Sequence, residues 1–144
     1  MLARAFTTAE SLMVVATIGI LSAVIVIAVT ADKRLVDTRN TQRRTDVATI
    51  ISAVTRYSID HNGILPKSIP ADSREICQSE VSDCTGLVDL SVLTEKGQYL
   101  VYLPADPQSG SANGTGYSIK RIGANRIQVA APLAEWGVVI TEVQ

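Results

Sequence analysis

Ser11–Ala31, SLMVVATIGILSAVIVIAVTA, is a run of twenty-one residues without a charge. A helix needs about 20 such residues to cross roughly 30 Å of hydrocarbon, so the run reads as a membrane-spanning helix. A secretory signal peptide is the first rival, but its apolar region covers only about 7–15 residues behind a basic leader. Here the run is longer and Arg4 is the one cation before it. A buried core helix is the other rival, and the remaining chain is too short to wrap an apolar cylinder of that length.

Past Ala31 the composition changes to DKRLVDTRNTQRRTDVATIISAVTRYSIDHNG. Val47, Ile50, Ile51, Val54 and Tyr57 recur at i, i+3, i+4, i+7 and i+10, which is one apolar stripe on a 3.6-residue helix. No proline interrupts residues 6–62, Gly63 stands where a left-handed residue would stop a helix, and Pro66 follows. One helix over 6–62 is expected, apolar all round in its first half and amphipathic in its second.

At the head of the apolar run stands Glu10, in AFTTAESLMVVATIGIL. A carboxylate at the edge of hydrocarbon is costly unless it snorkels to the interface or finds a cation, so it is a functional candidate. The order small residue, Phe6, Thr7, two residues, Glu10 and an apolar stretch containing Gly19 resembles the processing site and stem of type IV pilins and secretion pseudopilins. RRTDVATIISAVTRYSIDHNGILP is similar to that family's amphipathic helix end, with Tyr57, Asn62, Gly63 and Pro66 in the family's order. The resemblance covers residues 5–66 and extends weakly to Ala105–Pro107.

The resemblance implies that a prepilin peptidase cuts between Ala5 and Phe6, that the new Phe6 amine is methylated, and that Phe6, Thr7, Glu10 and Gly19 serve assembly. The freed amine of one subunit would neutralise Glu10 of its neighbour as the stems bundle. It implies a short leader over 1–5, a filament-core half over 6–31, an amphipathic half over 32–62 and a head over 63–144. The expected fold is α+β, with the long helix packed against a small antiparallel sheet, the pilin fold. The implied partners are copies of the same chain in a helical filament, the peptidase and assembly machinery, and the cytoplasmic membrane before assembly, with the head outside the cell.

Three departures qualify the likeness: Ala5 stands where glycine is usual, the leader is less basic than usual, and Ile27 lies near the customary stem proline. Lys33, Arg34, Arg39, Arg43 and Arg44 follow the span, so a bare positive-inside count favours the opposite topology. Interspersed Asp32, Asp37 and Asp46, with two cysteines suited to an oxidising compartment, argue for the head outside.

Thirteen basic and fourteen acidic residues leave no general attraction to nucleic acid. The Arg39, Arg43 and Arg44 cluster could meet DNA, but beside Asp37 and Asp46 it favours salt bridges between subunits. One histidine and two cysteines leave little material for a metal or cofactor site, and neither cofactor nor enzymatic activity is expected.

In the head, Cys77 and Cys84 can close the loop QSEVSD, favouring a disulfide over two free thiols outside the cytoplasm. Leu87–Leu93 reads as a short helix or irregular cover. Gln98–Leu103, Gly116–Ile122 and Arg126–Ala131 read as strands, the last two joined as a hairpin through Gly-Ala-Asn, and WGVVITEV can add a fourth. The loop ADPQSGSANGTG carries Asp106, a weak calcium candidate because one carboxylate falls far short of about six to eight oxygens. Asn113-Gly114-Thr115 matches a glycosylation sequon. Motility, adhesion, DNA uptake and secretion all use such filament subunits. The rival of another class is a single-span anchored domain that binds a ligand outside the cell and never polymerises; it gives no task to Phe6, Thr7 and Glu10.

Overall fold

The computed structural model describes residues 7–144. The expected leader and the Ala5–Phe6 processing pair lie outside the described residues. The chain divides into two compact units between Asp37 and Thr38. The helical residues 38–60 therefore belong to the same unit as the head.

Helix α1 runs Thr8–Asp60, as an uninterrupted absence of proline allows. It stops as expected at Asn62-Gly63, with one refinement: Asn62 (φ 53°) takes the left-handed position and Gly63 (φ 84°) follows it. The Gly63 N–H donates to the Ser58 carbonyl at 2.8 Å, the six-to-one bond of a Schellman end. Asparagine takes that conformation more readily than most residues because its short polar side chain can hydrogen-bond the backbone nearby, offsetting the Cβ conflict.

A four-stranded antiparallel sheet follows in the order β1 (Arg74–Cys77), β2 (Gly114–Arg121), β3 (Ile127–Ala130) and β4 (Thr141–Val143). The β2–β3 hairpin closes where the Ile122 N–H meets the Arg126 carbonyl at 2.9 Å, leaving Gly123-Ala124-Asn125 as its loop. The short helix α2 (Ser91–Thr94) is followed by a single 3₁₀ turn at Glu95–Gly97.

The expected strand at Gln98–Leu103 is not one. Lys96 and Gly97 both have positive φ and turn the chain, after which the Tyr99 and Leu100 N–H groups donate to the Leu93 carbonyl and that of Leu103 to the Ser79 hydroxyl. Its place in the sheet is taken by β1. Only four residues long and half charged, β1 lacks the alternating apolar pattern that marks a strand.

The predicted stripe does the packing. Val47, Ile50 and Val54 are buried, and Ile51 and Tyr57 pack at the edge of the same core. They share it with Leu65, Ile76, Leu90, Leu93, Tyr117, Ile119, Ile127 and Val129. On β2 and β3 the buried side chains alternate with half-exposed ones, as a sheet with one covered face requires.

Candidate functional site

Two places in the molecule carry polar chemistry that the sequence singles out: the first turn of α1 and the stretch of α1 that enters the head.

In the first turn, the Glu10 carboxylate accepts hydrogen bonds from the Thr7 N–H and the Thr7 hydroxyl, both at 2.9 Å. The Glu10 N–H donates to the Thr7 hydroxyl oxygen at 3.2 Å. This is a reciprocal capping box, with Thr7 at the N-cap and Glu10 three residues in. The T-x-x-E spacing was the signal for it in the sequence. Within a single chain, Thr7 and Glu10 thus satisfy each other's N–H groups, which the helix start would leave bare.

After that turn the helix is apolar and uncovered. Its most apolar eighteen residues have a mean hydropathy of 2.9 and none of that surface is buried within the chain. Leu12, Met13, Ile20 and Ile27 are each about two-thirds exposed or more. The polar side chains inside the run turn back on the helix: Thr17, Ser22 and Thr30 hydroxyls donate to the carbonyls of Val14, Ile18 and Val26 at 2.7–2.8 Å. No hydroxyl donor there is left seeking water, which suits hydrocarbon surroundings. Nothing lies within 4 Å of a Cβ built on Gly19, so the fold of one chain does not require glycine there.

The second place lies where the buried face of α1 extends past Val47 toward the N-terminus. The next inward positions are Arg43 and Asn40, both buried. The Arg43 guanidinium meets Asp106 in a two-point ion pair, Nε to Oδ2 at 2.6 Å and Nη2 to Oδ1 at 3.0 Å, with both side chains fully buried. Its remaining N–H groups reach Asn40 Oδ1, Glu135 Oε2 and Gln108 Oε1 at 2.7–3.0 Å. All five donors of the fork are used, which is what allows this charge to be dry.

Glu135 is held from several sides. Arg39 donates to both carboxylate oxygens at 2.6 and 2.7 Å, and the Asn40 side chain bonds both the Glu135 N–H and its carbonyl. The Arg39 hydrogen bonds, with Arg43 adding to them, hold the Glu135 carboxyl down at about 2. Beside this group, burial pushes the Asp46 carboxyl up although the Tyr117 hydroxyl donates to it at 2.6 Å. Burial and the Asp46 charge push the Tyr117 hydroxyl well above its ordinary value.

Several expectations are corrected by these contacts. The Asp106 carboxylate is not open to a metal ion: it is occupied by the Arg43 guanidinium and by the Gln108 N–H at 2.8 Å. Among the described residues no group of three His, Cys, Asp or Glu side chains could hold a metal ion. Arg39 and Arg43 are engaged inside their own chain, not left for subunit salt bridges. The sequon does not present its residues freely, since the Asn113 side chain donates to the Asp83 carbonyl and the buried Thr115 hydroxyl to the Ile76 carbonyl. The disulfide joins Cys77 to Cys84, as the loop spacing favoured.

The Arg43 group leaves no mark in the apolar periodicity of α1, because its members are polar. The same stripe that buries Val47 and Val54 runs through positions 40 and 43, and that was the available signal. Its partners, about 60 and 90 residues away, left no local trace.

Compared with family models, curated proteins and solved structures, the chain finds no match.

Proposed function

We propose that this chain is a structural subunit of a type IV pilus-like extracellular filament, stored in the cytoplasmic membrane and cut before Phe6. After the cut it assembles through its apolar stem, with Gly19 the weak point of an otherwise stiff helix. The observation that carries this reading is a carboxylate, Glu10, at the head of a helix surface that is long, apolar and uncovered. Such a surface is stable only against lipid or against other stems. Moving from one environment to the other leaves the apolar burial nearly unchanged and makes the fate of Glu10 decisive.

In the stored subunit the Thr7 N–H and hydroxyl hold the carboxylate. In the fibre the freed α-amine of a neighbour's Phe6 gives it a full counter-charge, a stronger bond in low dielectric than a neutral donor supplies. Heads that carry a stem of this kind join by contacts that do not close on themselves, and an open helical fibre results.

The capping box favours a second reading, since it gives Thr7 and Glu10 a task in an isolated helix. In that reading the chain is a single-span anchor for a head that binds outside the cell and never polymerises. N-terminal mass analysis of material sheared from the cell surface separates the two. Filament subunits are expected to begin at Phe6 with a methylated amine, and Glu10→Val is expected to leave stable, membrane-inserted protein that yields few fibres. Uncut protein confined to membranes, or normal fibres from Glu10→Val subunits with no wild-type protein present, would remove the pairing mechanism.

A further inference from the structure

Two surfaces of the head unit carry opposite charge, and each has apolar side chains of its own beside the charges. The first is a shallow, open face of α1 lined by Arg44, Thr45, Ala48, Ser52 and Arg56 and by Tyr99 and Leu100. It contains two arginines and no acid, and neither guanidinium has an ion pair among the described residues. The chain then continues into Val101 and Tyr102, which are 81% and 66% exposed.

The second is a cleft of about 610 Å³ at the C-terminal end of α1. Asp60 and Asp89 line it, with Lys67 and His61 as the cationic candidates and Ile64, Pro66 and Val92 as apolar wall. The last turn of α1 has no basic side chain, so the negative end of the helix adds to the two carboxylates. Each carboxylate has one oxygen engaged, Asp60 by the Tyr99 hydroxyl and Asp89 by the Ser91 N–H. The exposed His61 ring, stacked on Tyr57 at 3.9 Å, offers a flat face to one side of the cleft.

We infer that the cleft receives Arg56 of a second copy of this chain. A guanidinium matches both halves of the cleft, because its planar head pairs with carboxylates and stacks on rings while its methylenes lie along apolar wall. The basic face meets the acidic cleft by charge complementarity, and the apolar rims supply the dry centre such a contact needs. The two surfaces are different patches of one chain, so the contact is heterologous and repeats from copy to copy. It deepens the filament reading, on which it rests for its repeating outcome, by naming how the heads meet.

The test is cross-linking of the full-length chain in its membrane, with Ser52→Cys in one tagged copy and Ser68→Cys in another. Both serines are exposed and line the two surfaces, and the native cysteines are already bonded to each other. The mixed 52–68 pair is expected to cross-link well above the 52–52 and 68–68 pairs. Arg56→Asp in the first copy, or Asp89→Arg in the second, is expected to lower it on the order of tenfold, the scale of losing an arginine anchor. The two reversals together are expected to restore it. Cross-links that ignore charge, or like pairs as strong as the mixed one, overturn the inference. Fibres sheared from the same cells keep the two ideas apart: fibres without the 52–68 link defeat this contact alone, and the link without fibres supports it and defeats the filament reading.

Discussion

Residues 8–31 and residues 38–60 are parts of one helix with the same backbone hydrogen bonding and opposite surfaces. In the first, Leu12, Val15, Ile18 and Val29 lie open and the hydroxyls fold back on the helix. In the second, Val47, Ile50 and Val54 are fully covered and, although threonine hydroxyls again fold back, Asn40, Arg43 and Asp46 reach across the head to partners far away in sequence. The difference teaches that helix propensity and helix function are separate questions. The first region keeps its polar needs local so that its surface can meet any apolar neighbour; the second commits its surface to one tertiary partner.

The sharpest way to break the comparison is at Arg43. Arg43→Met strands the buried Asp106 carboxylate and is expected to cost the head about 3–5 kcal/mol, the loss seen when one partner of a dry ion pair is removed. That is a large fraction of a domain's stability. Thermal unfolding of the full chain in detergent measures it, with stem helicity read from the ellipticity that survives. Adding Asp106→Leu is expected to recover much of the loss, because two apolar side chains replace the pair. If Arg43→Met unfolds like the wild type, the cluster does not hold the head.

Acid gives a smaller, graded effect. Glu135 is held near 2 against an ordinary 4.5, so its contribution is complete above that ordinary value and is lost as pH falls toward 2. Asp46 is shifted the other way and contributes in the opposite sense. Head unfolding temperature is therefore expected to fall between about pH 5 and 2, and to fall less steeply in Glu135→Gln. An equal slope in the variant would assign the acid sensitivity elsewhere.

The smallest effect is expected in the stem. Gly19→Ala meets no neighbouring atom and is expected to strengthen the helix by roughly 1 kcal/mol while leaving head unfolding unchanged. Backbone hydrogen exchange around residue 19 is the measurement. If the head responds, the two regions are not as independent as their surfaces suggest.

Much of the fold was legible because its causes are local. The uncharged run over 11–31, the stripe through Val47 and Val54, the Asn62-Gly63 stop and the Gly123-Asn125 hairpin each announce themselves within a few residues. The failures share a cause as well. β1 looks like a loop because its four residues are specified by pairing with β2 from Ile119 to Gly114, about 40 residues on. Gln98–Leu103 looks like a strand because β-propensity cannot see the Leu93 carbonyl that claims two of its N–H groups.

The candidate functional residues divide the same way. The Cys77–Cys84 loop was legible in its spacing, whereas Thr7 and Glu10 drew attention as assembly residues and their T-x-x-E capping box, though written in a four-residue spacing, was not read from it. Arg43 and Asp106 were read by residue type, as a charge for subunit salt bridges and as a weak metal ligand, and Glu135 gave no signal at all, because residue type is all that one position reveals. By itself the sequence determined a long helix with an apolar half and an amphipathic half, since periodicity and length follow from short-range geometry. Which charges are dry, which segment fills the sheet and which faces stay open were decided only by tertiary structure, because burial and dielectric belong to the assembled surroundings and not to any residue.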